Sequence, residues 1–329
     1  MKKNKNVVVI GGGTGSFVVL FGLKQYPFNL NAIITMMDSG GSTGKLRDQY
    51  GVLPPGDVRQ ALVALSESEK IWRELFLYRF TNGDLVGHNF GNLFLTVLEK
   101  ITGSFEKAIT LAEEILKTKG EVIPITLKRT HLNALLSDGQ IIKTEALIDA
   151  QEKRAPIKKL SLDKPVQVNQ KALVAIKQAD IIIVGPGDLY TSILPNFMFK
   201  EFVQEYQKSK AKKIFVLNLM NKLGHTDNYR ASDYLDQYYL YLGNKAFDYI
   251  VVNKTPLPEK ILSRYKKYGE NQVINNLKSS KNLKILSGNL LNKELYVKAQ
   301  GDRLTRSLIR HEPNKLARFI WEKIIISSL

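Results

Sequence analysis

The chain has 329 residues, 44% of them hydrophobic, enough to bury a sizeable core in one large α/β domain or in a domain carrying an insertion. It contains no cysteine, which excludes disulfides, thiolate nucleophiles and thiolate zinc sites and fits a reducing cytoplasm. The formal net charge of +17 invites a nucleic-acid reading, but the lysines are scattered, with no basic stripe interleaved with aromatics, so a Lys-rich solvated surface around a site for a phosphorylated small molecule accounts for it.

The start "MKKNKN" has the charge of an export signal, yet only four apolar residues follow before the glycines, short of the roughly 7–15 such a signal needs. No run approaches the roughly 20 apolar residues of a membrane span, so a cytoplasmic protein is expected. "NVVVI" (6–10) then predicts a strand, "SFVVLFGLKQY" (16–26) a helix and "NAIITMMD" (31–38) a second strand. Helices are predicted at about 57–69, 91–102 and 104–118, the last opening at Ser104 as an N-cap. From about 120 to 170, "EVIPITL", "QIIKTEALI" and "APIKKLSL" alternate apolar and polar residues between turn signals, which predicts a small antiparallel insertion. The parallel pattern resumes with helix "KALVAIKQA", strand 180–185, a helix near 196–209, strand 213–219, a helix from about 231 and strand 248–253. The expectation is one α/β domain over 1–329, with a mainly parallel sheet in a three-layer sandwich.

Three of these strands run into loops of the same chemical type: "GGGTGS" (11–16), "DSGGSTG" (38–44) and "GPGDLYTS" (185–192). Glycine loops bring bare backbone N–H groups to the carboxyl ends of strands, where open parallel sheets bind their ligands, and they favour anions. The strict dinucleotide fingerprint is not met, because Ser16 stands where its third glycine belongs. Asp38 is placed to hold a ribose, to support a metal or to shape a phosphate loop. Asp57, in "PPGDVRQ", either caps the helix it precedes or faces the site. Arg59, near that helix start, opposes the macrodipole and is expected to meet an anion or pair with Asp57 or Asp38. "GHNFGN" gathers His88, Asn89 and Asn92 at a helix start, and Asn218 and Asn253 end two strands with amides able to read a nucleobase edge.

Taken in order, "GGGTGS", "DSGGSTGKLR", "PPGDVRQALVALS", "HNFGNLFL", "GPGDLYTSILPN", "NLMNKLGHTDNY" and "VNKTPLPEKILSRY" resemble the 2-phospho-L-lactate transferase-like family, and most nearly its bacterial gluconeogenesis factor branch, over about residues 7–320. The resemblance implies a Rossmann-like fold and, for the bacterial branch, a regulator without a required cofactor. Such a regulator binds UDP-sugars, UDP-N-acetylglucosamine in particular, and acts with a protein partner on cell-wall precursor supply and cell shape. For the archaeal-type branch it implies a magnesium-dependent transfer of a phosphorylated lactyl-type group from a nucleotide donor, with Asp38, Asp57 and His88 as candidates for the chemistry. A dinucleotide such as NAD fits the same crevice, and a homo-oligomer is compatible with either branch. Carried over, the family's motifs put Gly12, Gly13, Thr14 and Gly15 near a diphosphate. Asp38, Asp57, His88 and Asn92 would line the crevice, Gly187, Ser192 and Asn196 would form the third loop, with Asp188 beside them as a further candidate for binding, and Asn218, Asn253, Tyr265 and Arg310 would lie toward base or sugar. The chain departs from the family in having Ser39 where a second acid is frequent, Asp188 where a Ser is frequent, and His225 where relatives carry an acid; the first departure removes a carboxylate for magnesium.

Overall fold

In the computed structural model, residues 4–150, 152–295 and 307–326 are described. The N-terminal half contains β1 (Lys5–Gly11), α1 (Gly13–Leu23), β2 (Phe28–Ile34), α2 (Gly41–Tyr50), α3 (Gly56–Leu65), α4 (Lys70–Leu77), α5 (Phe90–Thr102), α6 (Phe105–Leu116) and β3 (Glu121–Pro124). A second unit follows with β4 (Leu132–Leu136), β5 (Ile141–Lys143), α7 (Glu145–Asp149) and β6 (Ile157–Leu162). The chain then returns through α8 (Gln170–Gln178), β7 (Ile181–Val184), α9 (Lys200–Lys208), β8 (Lys212–Val216), α10 (Ala231–Leu242), β9 (Tyr249–Asn253), α11 (Glu259–Lys267), β10 (Lys284–Gly288) and α12 (Pro313–Ile320).

Seven strands form one parallel sheet in the order β10-β9-β8-β7-β1-β2-β3. Val7, Val8, Val9 and Ile10 are all fully buried. Successive side chains of a strand point to opposite faces, so this burial requires cover on both sides of the sheet. Helices supply it: α1 packs on α3 and α12, and α9 packs on α8 and α10. The fold is a Rossmann-like α/β sandwich with a small antiparallel sheet beside it, ordered β5-β4-β6.

The order of the strands places the site. From β1 the chain builds outward through β2 to β3, then returns to the other flank of β1 and builds through β7 to β10. The switch point therefore lies between β1 and β7, and a crevice opens above their carboxyl ends.

Several boundaries differ from the sequence expectation. The antiparallel sheet spans Leu132–Leu162, and "EVIP", expected as its first strand, is instead the edge strand β3, parallel to β2. Val122, Ile123 and Pro124 are buried in succession, the pattern of a strand covered on both faces of a parallel sheet rather than of a half-exposed antiparallel one. "QIIKTEALI" is strand only over Ile141–Lys143 and then turns into α7. The second glycine loop ends early because Gly41 already opens α2; Gly44 in that helix lies so close to the Ser39 carbonyl that any Cβ would collide with it. Helices α2, α4, α11 and α12 and strand β10 were not anticipated; α4, α11 and α12 each present an amphipathic face but over only eight or nine residues, and α2 presents almost none.

Candidate functional site

The loops after β1, β2, β7 and β8 surround a cavity of about 480 Å³. Gly12, Gly13, Thr14 and Gly15 line it from the first loop, Asp38, Gly40 and Gly41 from the second, and Gly187, Asp188 and Ser192 from the third. Parallel pairing puts all three loops on one side of the sheet, and strand adjacency puts them next to one another.

The first loop opens α1 with no side-chain cap, and the first turn of α1 carries no acid. Its free N–H groups and the positive end of the helix dipole face the cavity, an arrangement suited to an anion. Gly13 has φ 60°, the left-handed region that favours glycine. Gly15 serves packing: a Cβ there would fall on the carbonyl of Pro186 in the third loop. Gly12 lies against Asp57, whose Oδ2 would be 2.5 Å from an added Cβ. Asp57 lies in the first turn of α3 and its carboxylate is turned toward the first glycine loop. Asp38 accepts the N–H of Gly40 at 3.0 Å and so shapes its own loop.

Charged groups that the sequence did not single out complete the walls. Lys222, after β8, donates to Asp149 at 2.5 Å and to Asp188 at 2.7 Å, and those two carboxylates raise its pKa. Asp149 stands above the usual carboxylate range because burial outweighs the attraction of Lys222. Glu145 is pushed well up by burial and by the charges of Asp38, Asp149 and Asp57. Burial lowers the pKa of His225 to about 3 and of His311 to about 4, so both line the cavity as neutral rings. The opposite wall carries Tyr265 and Arg310. The Tyr265 ring is buried, and its hydroxyl accepts the backbone N–H groups of Leu308 and Ile309, which fixes the segment that presents Arg310. Among the described residues no group of three or more His, Asp or Glu side chains is placed to hold a metal ion.

The family model of 2-phospho-L-lactate transferase CofD matches residues 7–291. The chain belongs to the CofD family. Within it, the chain is similar to the gluconeogenesis factor of Halalkalibacterium halodurans, 38% identical over 322 residues that cover 97% of each chain. It is 43% identical to the gluconeogenesis factor of Listeria innocua over 258 residues, 78% of this chain and 80% of that one. Among solved structures, a UPF0052 family member from Bacillus halodurans superposes with a TM-score of 0.88 at 35% identity, covering 98% of this chain and 100% of the other.

Not every candidate residue of the sequence reaches the cavity. Arg59 is buried beneath it: Nε donates to Asn92 Oδ1 at 2.9 Å and Nη1 to the Phe76 carbonyl at 3.2 Å. Asn92 also donates to Ser42 and Thr43, and Asn89 caps α5 by accepting the N–H of Asn92. His88 sits 3.2 Å from Ser42 Oγ, with its pKa lowered by burial. These four brace the second loop from behind. Asn196, fully buried, donates to the carbonyls of Gly11, Ser192 and Ile193 and ties the first loop to the third. Asn253 is engaged with Thr255 and Leu290, away from the cavity. Asn218 does line the cavity and donates to the Gly187 carbonyl at 2.8 Å.

The residues missed were Glu145, Asp149, Lys222, Glu270 and His311, all in the cavity wall. Each is an ordinary charged or polar residue within a motif or beside one, with no spacing that marks it; only the fold brings them together.

Proposed function

We propose that this cavity is a sugar-nucleotide site, with UDP-N-acetylglucosamine as its ligand, and that the protein is a binding regulator linking carbon metabolism to cell-wall precursor supply and cell shape. The observation that carries the reading is the convergence of the glycine loops after β1, β2 and β7, with the open N-terminus of α1, opposite the Arg310 wall. Backbone donors suit the diphosphate, Arg310 supplies a charge-assisted contact, and amides such as Asn218 and Asn221 suit the base or sugar. The names of the relatives support the metabolic part, and the resemblance to the bacterial branch supports the cell-wall part. One carboxylate oxygen of Asp38 accepts the Gly40 N–H and so shapes the second glycine loop, which suits a phosphate cradle.

A transferase is the second reading, kept by the CofD family match and by the carboxylates Asp38, Asp57 and Glu145 in the cavity wall. Among the described residues these carboxylates do not form a metal site by themselves.

Calorimetry with UDP-N-acetylglucosamine tests the binding reading. A micromolar dissociation constant, about −8 kcal/mol, is expected, and Arg310→Ala weakens it by roughly 1.5–3 kcal/mol. The nucleotide incubated with protein and magnesium is recovered intact. Release of UMP or a transferred sugar phosphate, at a rate that depends on Asp57, overturns the regulator in favour of the transferase.

A further inference from the structure

The antiparallel unit adds no strand to the parallel sheet, yet it supplies Glu145, Ala146, Asp149 and Ala150 to the cavity wall. All four sit on or directly after α7, and this short helix is tied to three of the surrounding loops. The Ser39 N–H donates to Glu145 Oε2 at 3.0 Å, and the Ala146 N–H donates back to Ser39 Oγ at 2.8 Å. One turn later Asp149 accepts Lys222 Nζ and Thr191 Oγ1, and the same lysine reaches Asp188. The second glycine loop, the third glycine loop and the loop after β8 thus meet on one face of α7. Arg154 closes its far end by donating to the carbonyls of Leu147 and Ala150.

The chain enters α7 through Thr144, which has φ 74°. That conformation is costly for a branched side chain and persists only while its surroundings over-determine it. Its own N–H donates to the Leu132 carbonyl of β4 at 2.8 Å and its carbonyl accepts the Ile148 N–H at 3.1 Å, so the antiparallel sheet holds the chain on the entry side of Thr144 and the α7 contacts hold it on the exit side; losing the latter leaves the costly backbone supported on one side only. A hinge and a latch therefore lie next to each other in sequence.

We propose that α7 is a clasp over the cavity, and that the proton on Glu145 decides whether the clasp is closed. In the closed form Glu145 faces Asp38 from the second glycine loop, Asp57 from α3 and Asp149 from its own helix. The other elements packed on α7 are β4, β5 and the turn Leu189–Ile193. Of these, β4 and the turn carry no charged side chain and β5 carries the exposed Lys143. Burial and the three like charges hold the Glu145 carboxyl protonated well above the usual range, while the Ser39 N–H acts in the opposite sense. Swung into water, the same carboxyl returns to an ordinary value near 4.5. The closed form keeps a proton that the open form gives up, so closure weakens as pH rises from that ordinary value toward the raised one. Below that window both forms are protonated and closure no longer depends on this group. The clasp is a property of the free protein and does not depend on which ligand the cavity takes.

Amide hydrogen exchange on the full chain without ligand tests this separately from the nucleotide reading. Protection of the Ser39 and Ala146 amides, corrected for intrinsic exchange, falls as pH rises within the window, approaching about tenfold per pH unit, the limit for one released proton. Amides of β1 keep their protection. Glu145→Gln retains the shape and the acceptor oxygen and gives the same two amides a flat profile. A flat wild-type profile, or a Glu145→Gln profile with the wild-type slope, overturns the proposal. In a second arm, UDP-N-acetylglucosamine binding is measured across the same window: its absence at every pH counts against the sugar-nucleotide reading alone, since the exchange profile still decides the clasp.

Discussion

The hydroxyl of Tyr265 accepts the backbone N–H of Leu308 at 2.8 Å, and the same oxygen takes the N–H of Ile309 at 3.2 Å. The residue is thereby bound to the wall that presents Arg310, although 45 positions separate the two in the chain. Tyr265→Phe keeps the buried ring and strips two N–H groups of their acceptor, which is expected to cost about 1–3 kcal/mol of stability in urea unfolding. Affinity for UDP-N-acetylglucosamine falls with it. A double-mutant cycle with Arg310→Ala should be non-additive, because the first change displaces the second residue. Weaker binding at unchanged stability, with additive effects, would instead put the hydroxyl on the ligand.

The glycines of the first loop have separable roles. Gly15→Ala drives a methyl group into the Pro186 carbonyl and pushes the first and third loops apart, with an expected loss of about 1–3 kcal/mol and of ligand binding. Gly13→Ala has room for its methyl, the nearest atoms being 3.8 Å away, but forces alanine to φ 60°. A backbone penalty of about 1–2 kcal/mol is expected there. Crystal structures of the two variants check the difference: the third loop moves in the first and stays in place in the second.

Arg59 braces the site without entering it. Arg59→Met leaves Asn92 Oδ1 and the Phe76 carbonyl without their donor in a buried place, and roughly 2–4 kcal/mol of stability is expected to go. Ligand affinity per folded molecule changes little. A large loss of affinity in a variant of wild-type stability would mean that Arg59 acts on the ligand.

The pH dependence of stability has a defined acid limb. Burial holds the pKa of His311 at about 4, whereas the unfolded chain titrates near 6.5. The unfolded state therefore binds the extra proton between these values, and stability falls as pH drops from 6.5 toward 4. Below about 4 the folded protein is protonated too and the dependence on this group ends. His225 acts in the same sense down to about 3. Urea midpoints at pH 7 and pH 5 check this: His311→Gln should narrow the gap between them, and an unchanged gap would show that the ring does not carry that proton difference.

The chain by itself determined the parallel α/β fold, because strands such as "VVVI" are continuously apolar only when both faces of a sheet are covered. It also determined where the glycine loops of the cavity lie, since three strands run straight into glycine. The resemblance drew attention to Tyr265 and Arg310, which composition and spacing did not mark. Tertiary structure decided the rest. Arg59, Asn89 and Asn92 look like site residues in sequence because they sit at helix starts beside glycines, but the packing of α3, α5 and the second loop turns them inward to satisfy one another. Glu145, Asp149 and Lys222 look like surface charges, and they meet in the cavity only because α7 folds back over the sheet's switch point. Local pattern reports which face of an element is apolar and where the backbone must turn; which polar side chains share a low-dielectric space is set by contacts between residues far apart in the chain, and no local period records that.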